Sequence, residues 1–132
     1  MSSTAEPSAN LETSIVYITS DLMFSSRAIH AAGQSGIGLQ VAADLQTALE
    51  ACAANQVALL LIDLTTPGIE PANCIEEIHR LTNRPGKIIA YGPHVHEAKL
   101  TAAAAAGCDE VMSRGQFHTC LEQLVETVSN TG

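Results

Sequence analysis

Five times over, a short apolar run gives way to a stretch whose apolar residues recur at helical spacing. Residues 14–19, Ser-Ile-Val-Tyr-Ile-Thr, are β-branched and nearly continuous in apolar character, the pattern of a strand buried on both faces. Asp21 then offers an N-cap for a helix through Leu22, Met23, Ile29 and Ala32 that ends near Gly33 and Gly36. Residues 37–41 alternate like a strand, and the glycine-rich residues 33–38 before them read as a turn. Asp44 opens a second helix through Leu45, Ala48, Leu49 and Cys52. The third strand is read over residues 57–63, followed after Pro71 by a helix with Ile75, Ile78 and Leu81 on one face.

The fourth strand is read over residues 87–91, and an alanine-dominated helix over 97–106 is closed by Gly107. A weaker fifth strand over 109–113 leads to a last helix over 116–128, with Phe117, Cys120, Leu121, Leu124, Val125 and Val128 at helical spacing. Strand–helix alternation of this kind predicts an α/β fold: a three-layer αβα sandwich around a five-stranded parallel sheet. Open sheets of this class place their sites outside the carboxyl ends of the strands. Thr19, Ser20, Asp21, Asp63, Gly92, Ser113 and Arg114 fall at such ends.

The length of 132 residues suits one domain. Residues 1–12 read as a flexible polar tail and 13–132 as the domain. The first residues lack the basic start and apolar centre of a signal peptide, and no stretch approaches a membrane span, so a cytoplasmic location is expected. Six basic against fourteen acidic residues give a net charge of -8, which disfavours nucleic acid and anionic membranes as partners. Two Tyr, two Phe and no Trp leave few platforms for base stacking. Cys52, Cys74, Cys108 and Cys120 are far apart without a CxxC pair, and read as small buried hydrophobes rather than metal or redox ligands.

The segment Leu59-Leu60-Leu61-Ile62-Asp63, followed by Leu-Thr-Thr-Pro-Gly, ends a core strand on a carboxylate with Pro67 four residues later. Together with AAAGCDEV before the last strand and a closing amphipathic helix, it resembles the receiver domain of two-component response regulators, CheY-like and flavodoxin-like, over about residues 14–128. The resemblance implies a (βα)5 topology and makes Asp63 the candidate phosphoacceptor. It also implies a Mg²⁺ ion held by an acidic pair after the first strand, by the acceptor and by the carbonyl of Thr65.

Thr19 and Ser20 stand where that acidic pair belongs, and hydroxyls are weak, uncharged Mg²⁺ ligands. Asp21 is either the helix cap or one surviving acid, which makes Asp63 and Asp21 the weak Mg²⁺ candidates. Gly92 replaces the hydroxyl residue of the fourth strand, and Arg114-Gly115 replaces the usual Lys-Pro of the fifth. Arg114 either pairs with Asp63 or points to solvent, and arginine's fork differs from a lysine point charge. Val111 takes the place of the switch aromatic.

His94 and His96, with Glu97 or Asp63 as a third ligand, form a candidate transition-metal group or simply the polar start of a helix, and His94 is a candidate pH-sensitive contact to Asp63. No nucleotide, hydrolase or zincin motif occurs, and a flavin is disfavoured by the scarcity of aromatics.

The expected function is that of a stand-alone, non-enzymatic pseudo-receiver with impaired phosphotransfer. It would act by contact with a protein such as a histidine kinase or a downstream signalling protein, without a certain cofactor and in an unspecified oligomeric state. The last helix and the strand before it are the expected contact face, with Phe117 and Leu121 as contact candidates whose more ordinary role is sheet-facing core. A phosphorylatable receiver in a phosphorelay, with Asp63 modified, is the alternative. A small-molecule or metal-binding flavodoxin-like domain using Asp63, Gly92 and His94 is a third reading.

Overall fold

The computed structural model describes residues 12–131; the tail expected over residues 1–12 lies, Glu12 apart, outside them. Five strands, β1 (Thr13–Ile18), β2 (Gly38–Ala42), β3 (Leu59–Asp63), β4 (Lys87–Gly92) and β5 (Glu110–Ser113), form one sheet. Its order is β2-β1-β3-β4-β5 and every pairing is parallel. The helices are α1 (Leu22–Ser35), α2 (Leu45–Ala54), α3 (Pro71–His79), α4 (Glu97–Ala106) and α5 (Arg114–Thr131).

Both faces of the sheet are covered, so the central strands carry continuous apolar runs rather than alternation, and all five residues of β3 are buried. Successive side chains point to opposite faces, dividing the core in two. Ile15, Tyr17, Leu59, Leu61, Ile89 and Tyr91 meet Phe24 and Ala28 of α1 and Phe117, Leu121 and Val125 of α5. Val16, Ile18, Leu60, Ile62, Ile88 and Ala90 meet α2, α3 and α4. Chain connections leave β1 toward β2 and return to β3, so the topological switch point lies between the carboxyl ends of β1 and β3, and Asp63 is there.

Most element boundaries lie within a residue of those read from the sequence, and α1, β3 and α5 are among those that differ by more. α1 continues to Ser35 and stops on Gly36, whose φ of 68° is left-handed and suits glycine. Gly33 is therefore inside the helix, and the turn is confined to the residues after it. β3 begins at Leu59 rather than residue 57, although Ala58 N still donates to Ser14 O of β1 (2.8 Å) and Val57 O accepts from Gly86 N (2.9 Å). α5 starts at Arg114, directly out of β5. Ser113 and Gln116 bond reciprocally there, Ser113 N donating to Gln116 Oε1 (2.8 Å) and Gln116 N to Ser113 Oγ (3.1 Å). This is a capping box that the sequence Ser-Arg-Gly-Gln encodes.

Cys52 and Cys74 are packed in the core, and burial pushes their thiols up to about 11 and about 12. No helix among the described residues is long and apolar enough to cross a membrane.

Candidate functional site

Asp63 ends β3 with only 4% of its surface exposed. A buried carboxylate must have its lone pairs met. Here neighbouring hydroxyls do so: Thr19 Oγ1 donates to Oδ2 (2.7 Å), and Thr65 Oγ1 donates to Oδ1 (2.6 Å). The Thr65 backbone N–H adds a third bond to Oδ1 (2.9 Å). Thr19 is itself buried, and its oxygen accepts from Asp21 N (3.0 Å). The carboxylate is thus closed off by the chain's own donors. Thr66, next in the loop, is buried with a hydroxyl that has no hydrogen-bond partner.

Beneath Thr19 lies a cluster of all four aromatic residues of the chain, Tyr17, Phe24, Tyr91 and Phe117. Tyr91 stacks on Phe117 with centroids 3.8 Å apart, and the Tyr17 and Tyr91 hydroxyls bond to each other. Burial, reinforced by the negative charge of Asp63, holds both phenols protonated well above their usual range.

Asp21 faces away from this pocket. Its Oδ1 accepts from Phe24 N (3.0 Å) and so caps α1, while its Oδ2 accepts from Arg114 Nη2 (3.0 Å). Arg114 therefore pairs with Asp21 rather than with Asp63, and it is not simply solvated. Its guanidinium lies 4.9 Å from the centre of the Phe24 ring, the stacking that a planar cation permits. This pairing differs from both alternatives the sequence left open, a bridge to Asp63 or full solvation, and the reason is positional. Arg114 is the first residue of α5, which packs on α1, so the Asp21 carboxylate that caps α1 lies within its reach.

His94 sits exposed in the turn after β4, and no hydrogen bond joins it to Asp63, which already has donors on both oxygens. His96 is exposed at the N-cap of α4 without a side-chain cap bond. Ser20 is exposed, and Gly92 is buried at the end of β4, where Leu64 and Leu100 pack against it.

Sequence reasoning missed Lys99. Its ammonium reaches from the first turn of α4 to the carbonyl of Leu64 (3.4 Å), beside Asp63. The signal available was a single lysine in an alanine-rich helix that starts at a strand mouth.

The residues do not fit a Mg²⁺ ion held in the receiver manner. That site needs several carboxylate oxygens converging on one point. Here Asp63 offers one carboxylate whose oxygens already accept from hydroxyls, and Asp21 is engaged elsewhere. No group of three His, Cys, Asp or Glu side chains among the described residues is placed to hold a metal.

A doubly wound five-stranded parallel sheet with an aspartate at its switch point defines a flavodoxin-like receiver fold. No protein-family model matches the chain, and no curated protein matches it. Solved structures do. A response regulator receiver domain from Bermanella marisrubri superimposes with a TM-score of 0.73 at 17% identity, over 86% of this chain and 95% of that one. The receiver domain of a sensor histidine kinase from Pseudomonas aeruginosa, with magnesium coordinated in its active-site cleft, gives 0.71 at 15% identity over 88% and 96%. The receiver domain of Ssk1 from Saccharomyces cerevisiae, solved with the histidine phosphotransfer protein Ypd1, gives 0.69 at 13% over 87% of each chain. The chain has the fold of response-regulator receiver domains.

Proposed function

We propose that this chain is a pseudo-receiver, a signalling domain that acts by protein contact and in which Asp63 is a structural carboxylate. The observation that carries the reading is the pairing of both Asp63 oxygens with the hydroxyls of Thr19 and Thr65, with Asp21 bonded away to Arg114. An aspartate accepts a phosphoryl group when a metal ion neutralises the incoming charge and aligns it for in-line attack. A single carboxylate whose two oxygens already accept from hydroxyls lacks the second acid that would hold the metal. On this reading the domain is not an enzyme and works in the cytoplasm. Its partner is a protein of the two-component kind, as the yeast receiver's partner is a phosphotransfer protein.

The test is a Mg²⁺ titration followed by amide shifts. The wild type is expected to show no saturable shift at Asp63, Leu64 or Thr65 up to millimolar Mg²⁺. The double variant Thr19→Asp, Ser20→Asp, which returns an acidic pair to the end of β1, is expected to gain one. Saturable millimolar or tighter binding by the wild type at these residues would overturn the reading in favour of a phosphorylatable receiver.

A further inference from the structure

The outer surface of α1 has a composition that nothing within one copy of the chain explains. Leu22, Met23 and Ile29 are 79%, 66% and 53% exposed, and they account for three of the four exposed large apolar side chains among the described residues. Leu22, Ser26, Ile29 and Gly33 recur at spacings of four, three and four, which puts them on one stripe of the helix. The stripe faces solvent, opposite the buried Phe24, Ala28 and Ala31.

Gly33 is the sharpest anomaly. It lies inside the helix, its φ is not positive, and a Cβ built on it would meet nothing within 4 Å. A glycine in a helix interior costs about 0.5–1 kcal/mol relative to alanine. Neither backbone geometry nor packing inside the monomer calls for it.

Charge singles out the same surface. The chain carries a net -8, yet α1 is the one helix of the five without an Asp or Glu. The two carboxylates beside it, Asp21 and Glu122, are each bonded to an arginine. Arg114 reaches Asp21 at 3.0 Å, and Arg27 grips Glu122 through Nε (2.9 Å) and Nη2 (2.7 Å). Two copies of so acidic a chain repel each other through surfaces rich in unpaired carboxylates. The α1 face, neutral in sum, can meet itself without setting acid against acid.

We infer that this face pairs with the same face of a second copy, antiparallel about a two-fold axis. The pattern large-small-large-small is self-complementary in that arrangement. With the axis between Arg27 and Ala28, Leu22 lies over the second copy's Gly33 and Ile29 over its Ser26, and the reverse holds by symmetry. Close approach over a glycine gives helix axes about 8–10 Å apart the room they need when ridges fill grooves. The glycine that is unexplained in the monomer gives Leu22 of the second copy a place to seat in the pair.

A helix of 14 residues is about 21 Å long, so one helix pair covers less than the roughly 800 Å² per partner of a standard interface. The dimer is accordingly weak and reversible, with dissociation in the micromolar to millimolar range. The pairing is independent of Asp63 and adds an oligomeric state to the protein-contact reading.

Sedimentation equilibrium on the full chain, from micromolar to millimolar concentration at physiological salt, tests this directly. The wild type is expected to show a reversible monomer–dimer equilibrium, with concentration-dependent amide shifts along α1. Ile29→Glu, at a position 53% exposed in the monomer, is expected to keep the fold and weaken the dimer at least tenfold. Gly33→Ala provides the sharper arm, because it raises the unfolding midpoint while weakening association. A purely structural glycine would raise stability and leave association unchanged.

A chain that remains monomeric at millimolar concentration overturns the inference. So does a dimer that persists in Ile29→Glu, or one whose shifts fall on α4, β5 and α5. Saturable docking of a different protein's helix on α1, with no self-association, overturns it as well. None of these outcomes alters Mg²⁺ binding at Asp63, so the two readings fail separately.

Discussion

Thr19 and Leu22 stand a few residues apart and belong to regions built on opposite terms. At the strand mouth Thr19 and Asp63 are buried and bonded to each other, and the surrounding side chains complete the closure. On α1, Leu22, Met23 and Ile29 extend into water beside a glycine that fills no internal role. In open α/β sheets of this class, sites lie at the mouth formed by the carboxyl ends of the strands. Here the mouth has its own donors and the unmet surface is the helix beside it. On the proposed reading, the protein's outward interaction is on a face rather than in a pocket.

The largest test of that contrast concerns the floor of the closed region. Phe117 stacks on Tyr91 and is fully buried, so of the two roles the sequence left open it takes the sheet-facing core one. Phe117→Ala is expected to lower stability by about 3–5 kcal/mol in urea unfolding. A near-neutral result would return it to the surface.

Two threonines sharpen the account of the mouth. Thr19→Val strips a buried carboxylate of a donor and is expected to cost about 1–3 kcal/mol. Thr66→Val removes a buried hydroxyl that has no partner, and is expected to leave the urea midpoint unchanged or raise it. Equal effects would mean that the Thr19–Asp63 bond is not what holds the mouth closed.

On α1 the sign reverses. Gly33→Ala is expected to raise monomer stability by about 0.5–1 kcal/mol in thermal unfolding, since no Cβ clash opposes the gain in helix propensity.

The smallest effect is electrostatic. The Arg27 side-chain hydrogen bond holds Glu122 below the usual carboxylate range. A depressed folded-state value means the stabilisation is fully present above the ordinary glutamate range. It is lost as pH falls through the lowered value. Both partners are partly exposed, at 26% and 47%, so solvent screening limits the contribution to about 0.2–1 kcal/mol. Urea unfolding of Glu122→Gln against wild type should differ by that amount at neutral pH, and the difference should shrink under acid conditions.

The fold was legible because β1, β3 and β4 are apolar on both faces, a pattern that only a doubly covered parallel sheet explains. The caps at Asp21 and Asp44 were also legible, since their reach of three residues is local. The partner of Arg114 was not, because it depends on how α5 lies against α1, a relation between residues 93 positions apart. The exposed stripe on α1 was hidden for a different reason. Leu22, Met23 and Ile29 fit a helical pattern, but periodicity alone does not say which helix positions another surface covers. The corresponding residues of α5, Phe117, Leu121 and Val125, follow a similar rhythm and are fully buried.

The claim that Asp63 is structural is tested most directly by intact mass after incubation with acetyl phosphate and Mg²⁺, with and without hydroxylamine, beside an Asp63→Ala control. An aspartyl phosphate is an acyl phosphate, which hydroxylamine cleaves. The account predicts that the wild type gains no hydroxylamine-labile phosphoryl group and that its spectrum matches the control's. Addition of one such group to the wild type, absent from Asp63→Ala, would contradict it and make Asp63 a phosphoryl acceptor despite the hydroxyls of Thr19 and Thr65.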